Sequence, residues 1–193
     1  MSRFSTCNDP FELAAFALSD SEVRNTHADW LADTDKKNGL ICFCRNWRNP
    51  VLWSHYAGNH TGLCLGFDVL PEKYVDVRYT SERLYPELNM TNFFEHVGEH
   101  QMPEVFATKF IHWSYEEEVR LLISFDTEPK DGEICFHSFS DELRLREVII
   151  GPRSEITSED VMASIDNVGA VVEVFRSWLS FRRFEVVRER LVT

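Results

Sequence analysis

The sequence predicts an α+β fold: short apolar runs of strand length outnumber helical segments, several are separated by turn signals, and a few capped helical stretches lie between them. At 193 residues the chain is expected to form a single domain, residues 1–193, around a mixed, mostly antiparallel sheet with short helices.

Taken in order, Asn8-Asp9-Pro10 is a turn signal, and the run from Phe11 to Leu18 reads as a helix with Pro10 at its first position and Phe11 in the core. A second helix is expected from Ser21 to Asp33, then a turn at Asn38-Gly39 and a strand from Leu40 to Cys44. Asn49-Pro50 reads as an N-cap with proline at N1, opening a short helix that ends by Gly58. Gly62 to Asp68 is a bounded apolar run, Tyr74 to Thr80 another strand, and Glu82 to Lys109 has helical character broken near Gly98 and Pro103. Val119 to Phe125 and Glu133 to Phe139 flank a Pro129–Gly132 turn as a hairpin. Leu145 to Ile150, a helix capped at Thr157 or Ser158, and strands over Gly169–Phe175 and Phe184–Arg190 complete the reading.

The charge balance is 20 basic against 32 acidic residues, net −12, which disfavours nucleic acid and anionic lipid except at a local basic patch. Arg182, Arg183, Arg188 and Arg190 crowd the C-terminus, where an edge patch could still form, although ion pairing with the surplus carboxylates is the expected state. No apolar run is long enough to span a bilayer and the first residues resemble no signal peptide, so a cytoplasmic location without membrane partners is expected. The five cysteines are then expected to be reduced, with Cys42, Cys44 and Cys64 acting as buried small hydrophobes. His96 and His100, at i and i+4, lack an obvious third ligand, so no metal is expected.

Two segments carry most of the unusual chemistry. In Trp53-Ser54-His55-Tyr56-Ala57-Gly58-Asn59-His60-Thr61-Gly62, a short helix would set Trp53 and Tyr56 side by side with the His55 imidazole on the adjoining face, as in a pocket wall. In His112 to Arg120, strand periodicity would project Glu116, Glu118 and Arg120 to one side. Two carboxylates raise one another's pKa while the guanidinium lowers both. Glu118, Glu116 and His55 are the candidate catalytic groups, and Trp53, Tyr56, Asn59, His60, Trp113 and Arg120 the candidate ligand-contacting residues.

With Asn8-Asp9-Pro10-Phe11, Cys42-Phe43, the Trp53–Gly62 motif, Phe67-Asp68, Trp113–Arg120 and Glu147–Gly151, the chain resembles a widespread bacterial family, domain-of-unknown-function family 2971. That family's usual strand ahead of the N-D-P turn has no counterpart expected here. The order of segments is also similar to the three-part pattern of ADP-ribosyltransferases. That analogy implies NAD as substrate, Tyr56 stacking on nicotinamide, Glu118 as catalytic carboxylate and Glu116 on the acceptor side. The alternative from another class is a non-catalytic sensing or interaction module, in which a buried His55 bonded to Glu116 or Glu118 and packed by Trp53 and Trp113 makes a structural clasp. A third reading is a metal-dependent hydrolase or nuclease using His55, His60 and His112 with the glutamates. A small-molecule or nucleotide-type ligand fits the first two; the sequence names no protein partner.

Overall fold

The computed structural model describes all residues except 12, 86, 97–101, 128–129, 131–133, 167–170 and 190–193. Helices and mixed, mostly antiparallel ladders make it an α+β fold. The chain divides into two compact units, each built from two stretches distant in sequence: Met1–Arg45 with Glu72–His137, and Asn46–Pro71 with Ser138–Thr193.

In the first unit, α1 (Ser21–Lys37) starts where the Asp20 carboxylate accepts the backbone N–H groups of Glu22 and Val23, and ends on Lys36 and Lys37, whose charges suit the helix C-terminus. At 17 residues it is longer than the short helices expected. Strand β1 (Asn38–Cys44) pairs antiparallel with β6 (Glu118–Ser124), and β3 (Val75–Asp76) takes the other edge of β6. A separate parallel ladder joins β4 (Arg78–Thr80) to β5 (Thr108–Phe110), with Tyr79 opposite Lys109.

The helix expected over Phe11–Leu18 does not form among the described residues. The Asp9 carboxylate, buried, accepts the Phe11 N–H at 2.9 Å in a local turn, and Leu13 takes a left-handed φ of 56°. The chain then runs extended, Ala17 donating to the Leu84 carbonyl and Leu84 to that of Ala15. The reason lies in the core. Leu13 packs with Phe4, Leu40 and Phe106, whereas Phe16 packs with Val23, Leu88, Phe93 and Val105. A helix would hold Leu13 and Phe16 together at i, i+3 and could not deliver them to separate clusters. Phe11, expected in the core, is exposed instead. Leu84 is committed to this extended pairing and Tyr85 has φ 50°, and among the described residues the helical character expected over Glu82–Lys109 is confined to α3 (Phe93–His96) and α4 (Met102–Phe106). Gly98 lies outside the described residues.

The second unit is a sheet of order β2-β7-β8-β9 with α2 (Pro50–Tyr56) and α5 (Ser158–Ile165). Strands β2 (Leu63–Val69) and β7 (Leu143–Ile150) are antiparallel, β7 and β8 (Glu173–Leu179) parallel across the α5 crossover, and β9 (Val186–Arg188) closes a hairpin on β8. Both predicted caps are present: Asn49 accepts the Val51 N–H, and Thr157 forms a reciprocal capping box with Asp160. Alternation along β7 feeds two layers. Ile149 packs with Trp53, Ala57, Phe175 and Val186, whereas Val148 and Ile150 pack with Val161 of α5. The strand expected at Gly169–Phe175 starts at Glu173, with 169–170 outside the described residues. Of the expected strand Glu133–Phe139, Glu133 is likewise outside and the rest is irregular. The last strand is shorter than Phe184–Arg190.

Asp9 accepts its turn bond in a buried setting, so Asp9→Ala should cost about 1–2 kcal/mol, read as a lower melting temperature in thermal denaturation.

Candidate functional site

The most heavily charged buried feature lies in the first unit. Register sets Tyr79 beside Lys109, while the two-residue period of β6 puts Glu118 and Arg120 on one face. Glu116 is not on that strand, as the sequence had suggested. It ends a 3-10 helix, Ile111–Glu116, and Glu117 then turns left-handed at φ 45° before β6 begins. The turn nonetheless brings both carboxylates to one ammonium. Lys109 Nζ donates to Glu116 Oε2 at 2.7 Å and to Glu118 Oε2 at 2.9 Å. Arg120 donates from Nε to Glu118 Oε1 at 2.8 Å and from Nη2 to Glu118 Oε2 at 3.1 Å, and from Nη1 to the Phe106 carbonyl at 2.6 Å. The Trp113 ring lies 4.9 Å from Lys109 Nζ, and the Tyr79 hydroxyl accepts the Glu118 N–H at 2.8 Å. All four charged residues are buried, Glu118 at 5% exposure.

These bonds decide the protonation states. Burial works to raise the Glu118 carboxyl, but the hydrogen bonds and charge of Arg120, with the charge of Lys109, outweigh it and hold it at about 2. Burial likewise opposes the Lys109 charge, yet Glu118 and Glu116 push its pKa above the ordinary lysine value. Tyr79 is pushed up, by burial first and the carboxylates after it, against the Glu118 N–H bond, so it stays a phenol. Cys42 faces Arg120 across the β1–β6 ladder. It is exposed rather than buried as expected, as is Cys44. The crowding around its sulfur first, and the Glu118 carboxylate second, push its thiol well up and leave it un-ionised at neutral pH.

Lys109 was not among the residues the sequence singled out. Its signal was a lone lysine inside the apolar run from Val105 to Phe110, in a chain with only five lysines. It also borders a pocket of about 290 Å³ in the same unit, where Phe11 and Phe110 supply aromatic walls and Thr80, Thr108 and Arg83 the polar ones. The Arg83 guanidinium sits 5.0 Å over the Phe11 ring, anchored by Nη1 bonds to the Ala14 and Phe16 carbonyls.

The other predicted residues belong to the second unit. Trp53 is buried and donates its indole N–H to the Trp47 carbonyl at 2.6 Å; Ala57 is buried beside it. His55 and Tyr56 are exposed, with ring centroids 6.1 Å apart. Gly58, Asn59 and His60 then take three successive left-handed conformations, φ 53°, 54° and 75°. Asn and His both enter this region more readily than most other non-glycine residues. Gly151 passes so close that a Cβ there would clash with the His60 carbonyl oxygen and lie 2.7 Å from that of Gly62. His60 Nδ1 is buried without a hydrogen-bond partner among the described residues, and burial, then Arg153, lowers its pKa. The predicted residues thus divide between the units: Glu116, Glu118, Arg120 and Trp113 converge in one, and Trp53, His55, Tyr56, Asn59 and His60 lie along one stretch of the other. His100 is outside the described residues, and among those described no three His, Cys, Asp or Glu side chains gather as metal ligands would.

Residues 52–121, which contain both segments, match the model of a family described as a protein of unknown function, DUF2971. Over this stretch the chain is similar to the DUF2971 family. No curated protein and no solved structure matches it. The DUF2971 stretch crosses from the second unit into the first, so it unites the tight Gly58–His60 turn with the Lys109 cluster in one sequence signature.

The cluster sets a pH dependence. Glu118 has a lower pKa folded, about 2, than its ordinary 4.5, so its contribution to stability is full above pH 4.5 and is lost as pH falls toward 2. The raised Lys109 acts in the opposite sense, contributing fully below its ordinary 10.5 and losing that only as pH climbs through the higher folded value. Glu118→Gln should cost about 3 kcal/mol at pH 7, because it leaves buried cations under-compensated. Melting curves from pH 7 to 2 should show the gap between wild type and variant closing in acid.

Proposed function

We propose that the chain is a non-catalytic sensing or interaction module in which the Lys109–Glu116–Glu118–Arg120 cluster is a structural clasp and the adjoining pocket takes a small molecule. The observation that carries this reading is the occupancy of Glu118. Its Oε1 accepts from Arg120 and its Oε2 from both Lys109 and Arg120, and the residue is buried. A carboxylate that orients a ribose hydroxyl must present an oxygen to substrate, and both oxygens of this one already accept from buried cations of its own chain. The ADP-ribosyltransferase-like reading, with NAD as substrate, therefore draws no support from Glu118's surroundings. The metal-dependent alternative draws none from the described His and Glu residues.

The pocket supports the binding half of the proposal. Its volume is near the lower end for small-molecule sites, its walls are aromatic and hydroxylic, and Lys109 at its edge is immobilised by the clasp. Aromatic and hydroxylic walls with the Arg83 guanidinium and the Glu82 carboxylate among them suit a compact planar molecule with polar groups at its edge, of which a nucleotide fragment is one form.

Two measurements test the reading. Wild type incubated with NAD should release no nicotinamide, and Glu118→Gln should melt lower. Nicotinamide release abolished by Glu118→Gln at unchanged melting temperature would instead make Glu118 catalytic. In thermal-shift screening against nucleotides and aromatic carboxylates, compounds that raise the wild-type melting temperature should fail to do so in Ala15→Trp, which fills the pocket.

A further inference from the structure

The β8–β9 hairpin of the second unit ends in Ser180-Phe181-Arg182-Arg183-Phe184-Glu185. Phe181 and Phe184 are 94% and 99% exposed, more than any other large apolar side chains described. The turn is ordered all the same. Ser180 donates its N–H to the Glu185 carbonyl at 3.0 Å, and its hydroxyl accepts the N–H groups of Arg182 and Arg183 at 3.2 and 3.3 Å. Trp178 and Leu179, at the end of β8, continue the apolar surface and are each about two-fifths exposed.

We propose that this tip docks on an anionic bilayer surface. Two phenyl rings standing clear of a hairpin can enter the boundary between headgroups and acyl chains, while guanidiniums between them meet lipid phosphates and carboxylates, and tryptophan favours the same depth. The arginines are available for this. Arg176 is spent on the Gly151, Ser154 and Ile156 carbonyls and Arg188 on Glu173, whereas among the described residues Arg183 has only Glu185 at 3.8 Å and Arg182 no ion pair. The chain's acidity does not forbid it. The second unit holds nine Lys and Arg against eleven Asp and Glu, net −2, so the first unit carries most of the −12. A convex tip of this size is too small for a standard protein interface, which buries roughly 800 Å² per partner. Two adjacent arginines likewise make few phosphate contacts for an acidic protein to hold nucleic acid.

The test is sedimentation of the full chain with phosphatidylcholine vesicles, with and without phosphatidylserine, alongside the fluorescence of Trp178 assigned by Trp178→Phe. Phosphatidylserine should raise the bound fraction about tenfold or more at low salt, with a blue shift of Trp178, and high salt should reverse it. Phe181→Ala with Phe184→Ala should abolish binding to both vesicles. Arg182→Gln with Arg183→Gln should reduce binding to the level of phosphatidylcholine alone. Both variants should melt like wild type, since the altered side chains are solvent-exposed. The proposal is overturned by equal binding with and without phosphatidylserine, or by a phenylalanine variant that binds like wild type. It is also overturned if the tip instead drives self-association lost in that variant, or retention on single-stranded DNA, without vesicle binding.

Discussion

The first unit depends on the pairing of Lys109 with two carboxylates. One ammonium bridges Glu116 and Glu118, and Arg120 completes Glu118 from the other side, so two positive and two negative groups are buried at net neutrality. None of the four is tolerable alone in that position, since the cost of removing a charge from water is several kcal/mol per ion and is offset only by close, well-oriented partners. The same contacts connect the backbone. Lys109 belongs to β5, Tyr79 to β4, Glu116 to the 3-10 helix, and Arg120 reaches from β6 to the carbonyl of Phe106 at the end of α4. Elements too short to hold one another by ladder bonds are thereby tied to the central strand of their unit.

This constraint shapes what the neighbouring pocket can be. Its lysine is not a flexible cation that reaches for a ligand. It is held by Glu116 and Glu118 beneath the Trp113 ring with its charge neutralised, so it contributes a fixed wall and not a free cation. Arg83 is fixed in the same manner by two carbonyls and the Phe11 ring. Pre-set groups of this kind lose little freedom on binding, which favours recognition of one ligand shape.

How much of this was legible in the sequence follows the kind of information each element uses. β1, β2, β6 and β7 are apolar runs bounded by turns, and α2 and α5 carry local caps, so their positions could be read within a few residues. Phe11 to Leu18 could not. Its apolar residues are continuous, and only the separate destinations of Leu13 and Phe16 in the core decide against helix. In the site, Glu118 and Arg120 were legible from strand alternation. Glu116 was expected on the right side for a different reason, because a left-handed Glu117 and not the pleat turns it inward. Lys109 was illegible as a site residue because its partners lie seven and nine residues on, beyond a turn that no local pattern announces.

The two segments that looked most chemical are therefore those on which folding makes the heaviest demands. Trp53 and Ala57 fill a core layer, Gly58 and Asn59 supply left-handed backbone, and Gly151 has no space for a side chain against the His60 and Gly62 carbonyls. In the other segment, Glu116, Glu118 and Arg120 neutralise one another and a buried lysine. A dense motif of His, Tyr, Glu and Arg can arise from backbone strain and charge burial as readily as from catalysis. Function is better sought at side chains whose exposure costs the fold something without stabilising it. Phe11 at the pocket and Phe181 and Phe184 on the hairpin tip are of that kind, large apolar groups held toward water by ordered backbone.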